Sequence, residues 1–202
     1  MLTFFHSPHT RSTRILALLL AMDRLDRVDL RPVTIPRIDG TGSRDSRNPH
    51  PEGKVPLLVQ DGVAIWESAA IMLHLTDLFP ETGLGVLAGD PGRGRYLSWL
   101  SWYAGVMEPV LILDAAGLSH PFLSASLRGV GEVRQRLASA LDDGPWLMGE
   151  RYTAADLLVA SPFQWFADLD AGSDVTRDWV ARCAAQPWIA AATAMDAQQR
   201  AA

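Results

Sequence analysis

The stretch GKVPLLVQDGVAIWESAAI, Gly53 to Ile71, holds a proline directly ahead of a strand-like run and a Glu-Ser pair where a helix begins. LLVQDGVAIW reads as a hairpin, two β-rich runs joined across Asp61-Gly62, a pair that tolerates the positive φ values of a tight turn. Pro56 stands at the first residue of a strand, where a missing N–H is tolerable. It also forces Val55 into an extended conformation. An extended Val55 keeps its own N–H and C=O for a partner lying alongside as an extra strand, such as a peptide. Next to that edge, the helix starting at Glu67-Ser68 supplies free backbone N–H groups, a hydroxyl and a partial positive charge, which suit a carboxylate. Glu67 offers the opposite sign to an ammonium group. Together they fit a zwitterionic amino-acid end attached to an extended peptide. The same residues also allow a plainer reading, with Ser68 as a helix cap and Glu67 as a favourable first-turn acid.

Working outward, short strand-like and helical segments alternate up to about residue 79. They are LTFF (2–5), a helix from about Ser12 to Met22, RVDLRPVTI (27–35), PLLV (56–59), VAIW (63–66) and a helix from about Ser68 to Leu78. The order is βαβ followed by ββα. PRIDGTGSRDSRNPHP (36–51) is rich in turn formers and reads as an excursion with at most a short helix. FPETGLGVLAGDPG (79–92) reads as a linker, with its centre at 80–90, and beyond it almost everything has helical spacing. The spacing predicts a long helix over 93–117 kinked at Pro109, a second over 121–143 despite Gly129 and Gly131, a third over 153–169, and two more separated at Pro187. An α/β unit (1–79) followed by an all-helical unit (91–202) is the architecture this predicts. No period of 20 to 50 residues repeats.

Composition narrows the function classes. The 202 residues carry a net charge of −5; residues 1–79 hold nine basic and nine acidic groups, and the acid excess lies entirely beyond them. Neither part offers the basic field that nucleic-acid binding requires. Cys183 is the single cysteine, so no intrachain disulfide forms, a reducing compartment fits best, and the thiol is expected to be buried and inert. The apolar run ILALLLAM (15–22) is eight residues long and runs into DRLDR without a small-residue cleavage site, so it reads as a buried helix. No run reaches the ~20 apolar residues of a membrane span.

NPHPEGKVPLLVQDGVAIWESAAIMLHL (48–75) resembles the glutathione-site segment of glutathione transferases, and MGERYTAADLLV (148–159) resembles that family's capping box ahead of the central helix of its helical domain. In that box Thr153 caps Asp156, which reaches back to Thr153. The resemblance covers essentially the whole chain. It implies a thioredoxin-like βαβ-ββα domain followed by an all-helical C-terminal domain. It also implies that Glu67 and Ser68 hold the γ-glutamyl end of glutathione, that the Val55 backbone pairs with the cysteinyl unit beside a cis Pro56, and that Lys54, or less directly His50, reaches the glycyl carboxylate.

Chemistry turns on the first loop, FFHSPHTRSTRI (4–15). A free thiol has a pKa of ~8.5 and is a few per cent ionised at pH 7. Bringing that down by one or two pH units takes about 1.4 to 2.7 kcal/mol. A hydrogen bond to a charged acceptor supplies roughly 1.5 to 3 kcal/mol and a helix N-terminus about 0.3 to 1, so one hydroxyl beside the first helix suffices. The family places Tyr, Ser or Cys here; this loop has no Tyr or Cys, and counting back from Ile15 puts the usual position near His9. Ser7, His9 and Thr10 are the leading candidates, with Ser12, also a plausible helix N-cap, and Arg11 behind them. His6 and His9 lack the partners of a metal site, and no metal is expected. No Gly-x-Ser-x-Gly elbow occurs, which argues against a serine hydrolase.

Trp99, Trp102, Tyr103 and Met107 recur at helical spacing and would form an apolar wall for a hydrophobic electrophile, or else helical-domain core or dimer interface. The resemblance implies a cytosolic homodimeric transferase in which the glutathione thiolate attacks an electrophile or peroxide, and the composition points to a bacterial source. Two alternatives on the same fold are a non-catalytic glutathione- or protein-binding member and a glutathione-dependent isomerase or dehalogenase.

Overall fold

The computed structural model describes residues 1–166 and 168–201. In chain order the elements are β1 (Leu2–His6), α1 (Thr13–Ala21), β2 (Val28–Pro32), β3 (Leu57–Gln60), β4 (Val63–Trp66) and α2 (Ser68–Leu78). They are followed by α3 (Arg93–Trp102), α4 (Glu108–Ala115), α5 (Pro121–Leu127), α6 (Val130–Ala140), α7 (Ala154–Trp165), α8 (Asp174–Ala184) and α9 (Pro187–Ala201). Contacts divide the chain into two compact units. One comprises Met1–Thr82 with the segment that starts at Gln186, and the other comprises Gly83–Ala185.

The first unit is built on a four-stranded mixed sheet of order β2-β1-β3-β4. β1 pairs in parallel with β2 and antiparallel with β3, and β3 pairs antiparallel with β4. Alternation along β1 buries Leu2, Phe4 and His6 on one face. The β3–β4 turn has φ of 50° at Asp61 and 86° at Gly62, the two positive values that a two-residue hairpin demands. Ile15 to Leu19 of α1 are buried, and α1 packs against both α2 and α9. The sequence grouped 91–202 as one helical domain, but α9 lies on α1 and clusters with the sheet unit. Residues 36–51 form turns without a helix, pinned locally by side chains such as Asp45, which accepts from the Arg47 N–H at 2.9 Å.

In the second unit the reciprocal capping box at Thr153 and Asp156 starts α7, with Asp156 Oδ2 accepting from Thr153 N at 2.9 Å. Asp156 Oδ1 also accepts from Leu147 N at 2.8 Å and from Trp179 Nε1 at 3.0 Å. Burial pushes this carboxyl above its ordinary range despite those donors. Three helix boundaries differ from expectation. The helix expected over 121–143 breaks where Arg128 turns left-handed (φ 64°) and Gly129 extends, because glycine holds helix poorly. The 93–117 helix is interrupted by a π-helical turn, Tyr103–Met107, ahead of Pro109 rather than kinked at the proline. α7 ends at Trp165 and not at 169; Pro162 inside it cannot donate to the Leu158 carbonyl, which the Ser161 hydroxyl serves instead at 2.7 Å.

Candidate functional site

Strand direction gathers the site. β1 and β4 are both antiparallel to β3, so they run the same way, and α1 and α2, which follow them, begin at the same end of the sheet. The register pairs Phe5 with Leu57 and Leu57 with Trp66. One step further along each strand come His6, Pro56 and Glu67, side by side at a spacing of about 4.8 Å per strand. Beyond these lie the first loop, Val55 and Ser68. A molecule about 10 Å long spans the row.

On the β3 side the Val55–Pro56 peptide is cis. Among the described residues the Val55 backbone takes no hydrogen-bond partner. Gly53 turns at a φ of 66°, and buried Asn48 braces the turn by donating from Nδ2 to the Lys54 carbonyl at 3.0 Å. Glu67 is exposed and has a φ of 69°, a left-handed conformation that is rare outside glycine and that clusters at functional sites. Glu67, not Ser68, occupies the N-cap position of α2, and no side chain caps the helix. The cap role that the sequence allowed for Ser68 is therefore absent: Ser68 is the first helical residue, buried, with no side-chain cap to compete for the N–H groups of the first turn. Lys54 is exposed and ion-paired with Glu52. That pair holds its ammonium pKa up; Glu67 adds to the effect and Arg11 opposes it, so both lie within electrostatic reach of Lys54. His50 is buried and its Nδ1 accepts from the Glu52 N–H at 3.0 Å, which braces the loop.

The first loop is a closed hydrogen-bond network. Thr10 Oγ1 donates to the Ser7 carbonyl at 2.7 Å, accepts from Ser12 N at 3.2 Å and lies 2.8 Å from Ser12 Oγ. Ser12 Oγ accepts from Ser7 N at 3.1 Å and lies 2.7 Å from His6 Nδ1. The hydroxyl of Ser12 therefore turns back into the loop and caps nothing, contrary to its expected N-cap role. His6 Nε2 lies 2.9 Å from Asp196 Oδ1, with both side chains fully buried. Asp196 Oδ2 accepts from His9 N at 2.7 Å and from Thr13 Oγ1 at 2.6 Å. Burial alone would raise the Asp196 carboxyl; the donors from His6, Thr13 and His9 more than reverse this and hold it below the ordinary carboxylate range. The His9 ring is 44% exposed, with Nδ1 4.0 Å from Asp196 Oδ2. Ser7 is buried, and its hydroxyl accepts from Arg37 at 3.2 Å.

Chemically, the row offers an unpaired extended backbone for a peptide, a carboxylate and a helix N-terminus for the two charges of an amino-acid end, and a nest of hydroxyls one strand away. Two family models match this chain: the glutathione S-transferase N-terminal domain over residues 3–83 and the glutathione S-transferase C-terminal domain over 119–187. The chain belongs to the glutathione S-transferase family. Glutathione S-transferase GstA of Escherichia coli O157:H7 is 30% identical over 121 residues, which are 57% of this chain and 59% of that one. Disulfide-bond oxidoreductase YfcG of Escherichia coli K12 is 30% identical over 125 residues, 53% and 54% of the two chains. The match thus spans a little over half the length of these curated relatives. The crystal structure of a glutathione transferase from Methylococcus capsulatus superposes with a TM-score of 0.76 at 25% identity, over 98% of this chain and 100% of that one.

Within this glutathione S-transferase fold the structure separates residues that the sequence treated alike. Trp99, Tyr103 and Met107, read as a possible electrophile wall, are buried core of the helical unit, and Tyr103 donates to Glu108 Oε1 at 2.9 Å. Trp102 is half-buried, with the Arg136 guanidinium 5.2 Å from its ring centre. Sequence reasoning missed Asp196, Thr13 and Arg37, and weighed His6 only as a metal ligand. A signal existed for two of them. Alternation from Leu2 and Phe4 puts His6 on the buried face, and Asp196 is the one charged residue between Arg182 and Arg200. No group of three metal-ligating side chains gathers among the described residues, and no helix there is long and apolar enough to cross a membrane.

Proposed function

We propose that the chain is a glutathione transferase. Glutathione lies along the row at the sheet end, with its γ-glutamyl carboxylate at the α2 N-terminus and Ser68, its ammonium at Glu67, and its cysteinyl backbone paired with Val55 beside Pro56. Lys54 exchanges its solvent-exposed pair with Glu52, which water and salt screen, for the glycyl carboxylate. The thiol then faces the first loop. The observation that carries this reading is the exposed Glu67, held in a left-handed conformation directly across β3 from the hydroxyl network.

Of the three leading candidates, Thr10 is favoured as the donor to sulfur, its single O–H turning to the thiol from the Ser7 carbonyl, to which it otherwise donates at 2.7 Å. Its oxygen already accepts from the Ser12 N–H at the head of α1 and adjoins the Ser12 hydroxyl, which strengthens its own O–H as a donor. Ser7 assists through the positive charge of Arg37, which also donates to the Pro8 carbonyl at 2.7 Å. His9 holds the loop through its backbone and has a lesser role. The ionised sulfur attacks a hydrophobic electrophile or a peroxide in a detoxifying reaction, and with this reading go a homodimeric state and a cytoplasmic site of action.

Ultraviolet titration of the bound thiolate tests it. Native protein is expected to lower the thiol pKa by about one or more; Thr10→Val should return most of that, cutting the thiolate fraction at neutral pH about tenfold, while Ser7→Ala costs less. Glutathione bound with an unshifted thiol would point instead to a non-catalytic member of the family. Crystals soaked in glutathione with no density near Glu67 and Ser68 would end both readings.

A further inference from the structure

The hydroxyl network does not stop at the loop. From Thr10 it runs through Ser12 Oγ at 2.8 Å to His6 Nδ1 at 2.7 Å, and from His6 Nε2 to Asp196 Oδ1 at 2.9 Å. Ser12, His6 and Asp196 are fully buried, and Thr10 is the half-buried member at the outer end. We propose that His6 receives the proton of the bound thiol, passed inward by Thr10 and Ser12, and that Asp196 holds the resulting imidazolium. This rests on the glutathione reading above and adds to it a destination for the proton.

The orientation of the chain favours inward transfer. A carboxylate at Asp196 only accepts, so His6 Nε2 carries a hydrogen, and the neutral ring on which the relay depends then presents a lone pair at Nδ1. Ser12 has one hydroxyl proton, and Nδ1 is nearer to it than the Ser7 carbonyl, 2.7 against 3.0 Å, which already accepts from Thr10. Thr10 reaches the Ser7 carbonyl and Ser12 Oγ about equally, so its hydroxyl turns between them without moving a heavy atom.

Three protons then shift together. The S–H proton moves to Thr10 Oγ1, the Thr10 proton to Ser12 Oγ, and the Ser12 proton to His6 Nδ1. Each O–H breaks as its replacement forms, and no electron leaves its atom. Afterwards Thr10 donates to the thiolate, Ser12 to Thr10, and His6 to Ser12. The net charge of the site is unchanged, since thiolate and imidazolium appear as a pair. The new cation is born against a carboxylate already in place, the arrangement that makes a buried charge tolerable. When the sulfur is consumed, the proton leaves by the reverse path. Around the chain stand Asp196 on α9, His9 in the loop and Arg37 on Ser7, while α1, which packs on α9, carries the buried Arg14. His6 touches no substrate and acts through two hydroxyls.

Proton counting tests this. Glutathione is mixed with the full chain in weakly buffered solution containing a pH indicator, and thiolate absorbance is read alongside protons released. Native protein should release well under one proton per thiolate formed. Ser12→Ala cuts the relay and weakens Thr10 as a donor, so less thiolate should form, but each thiolate that does form should release one proton. Nitrogen NMR of the labelled His6 ring in native protein gives a check that needs no variant: Nδ1 should gain a proton on glutathione addition. One proton released per thiolate in native protein, with an unchanged His6 ring, overturns the relay while leaving the glutathione site standing. Glutathione binding without thiolate overturns the relay together with the transferase reading and leaves a binding site alone.

Discussion

Glu67 shows how a single residue holds two requirements in tension. Its left-handed backbone costs of order 1 to 3 kcal/mol for a side chain with a Cβ, and glycine would adopt it freely. Glu67→Gly is therefore expected to melt no lower than native protein while losing glutathione binding. Glu67→Gln keeps the strain but loses the charge, and should weaken binding about ten- to hundredfold by calorimetry, the worth of a charged hydrogen bond. Equal affinity in Glu67→Gln and native protein would refute the assigned role. At this scale the hairpin and the start of α2 were legible because Pro56 and the Asp61-Gly62 pair constrain the backbone in a way that residue type reveals, whereas a glutamate gives no sign of the left-handed turn at Glu67. The first loop was not, since Ser7, Thr10 and Ser12 carry the same group and differ only in where their single protons point. Ser12 looked like a cap; its hydroxyl turns inward to His6 instead.

Among the elements, α9 shows what periodicity leaves out. Its helical character was plain from spacing and from the Pro187 boundary, yet nothing in an alanine-rich run says that it docks on α1 or that its one acid reaches the loop after β1. The same limit hid the breaks at Arg128 and at the π-helical turn, where backbone preference and packing compete within one or two residues. The docking carries a pH signature. Asp196 has a native pKa below its unfolded value of 3.8, so its contribution to stability is complete above that value and disappears as the pH falls beneath it. Denaturant midpoints should drop more steeply below about pH 4 in native protein than in Asp196→Asn, which lacks that dependence. Asp156, shifted in the opposite sense, is shared by both proteins and cancels in the difference. Hydrogen exchange adds a local reading: the His9 amide, bonded to Asp196 at 2.7 Å, should be protected in native protein and fast in Asp196→Ala.

Over the whole molecule, the change of style near residue 80 was legible because strands and helices carry different periods, and the capping box at Thr153 marks the start of the second unit's central helix by residue type and spacing alone. Cys183 is fully buried in that unit, and burial drives its thiol far above the ordinary range, with the nearby Asp156 charge adding to the effect. A thiol reagent should leave native protein untouched and react at the rate at which the helical unit opens. Prompt labelling in the absence of denaturant would contradict that burial.

The π-helical turn at Tyr103–Met107 has a final consequence. An extra residue in one helical turn rotates everything after it by about 100° relative to an uninterrupted helix. α3 can thus direct its apolar stripe at α7 while α4 directs its own at α6, two neighbours that one straight rod would serve poorly. Excising a single amino acid there would remove little mass but would swing the whole downstream segment out of phase. The chain should accept many side-chain exchanges in this turn and no change in its length.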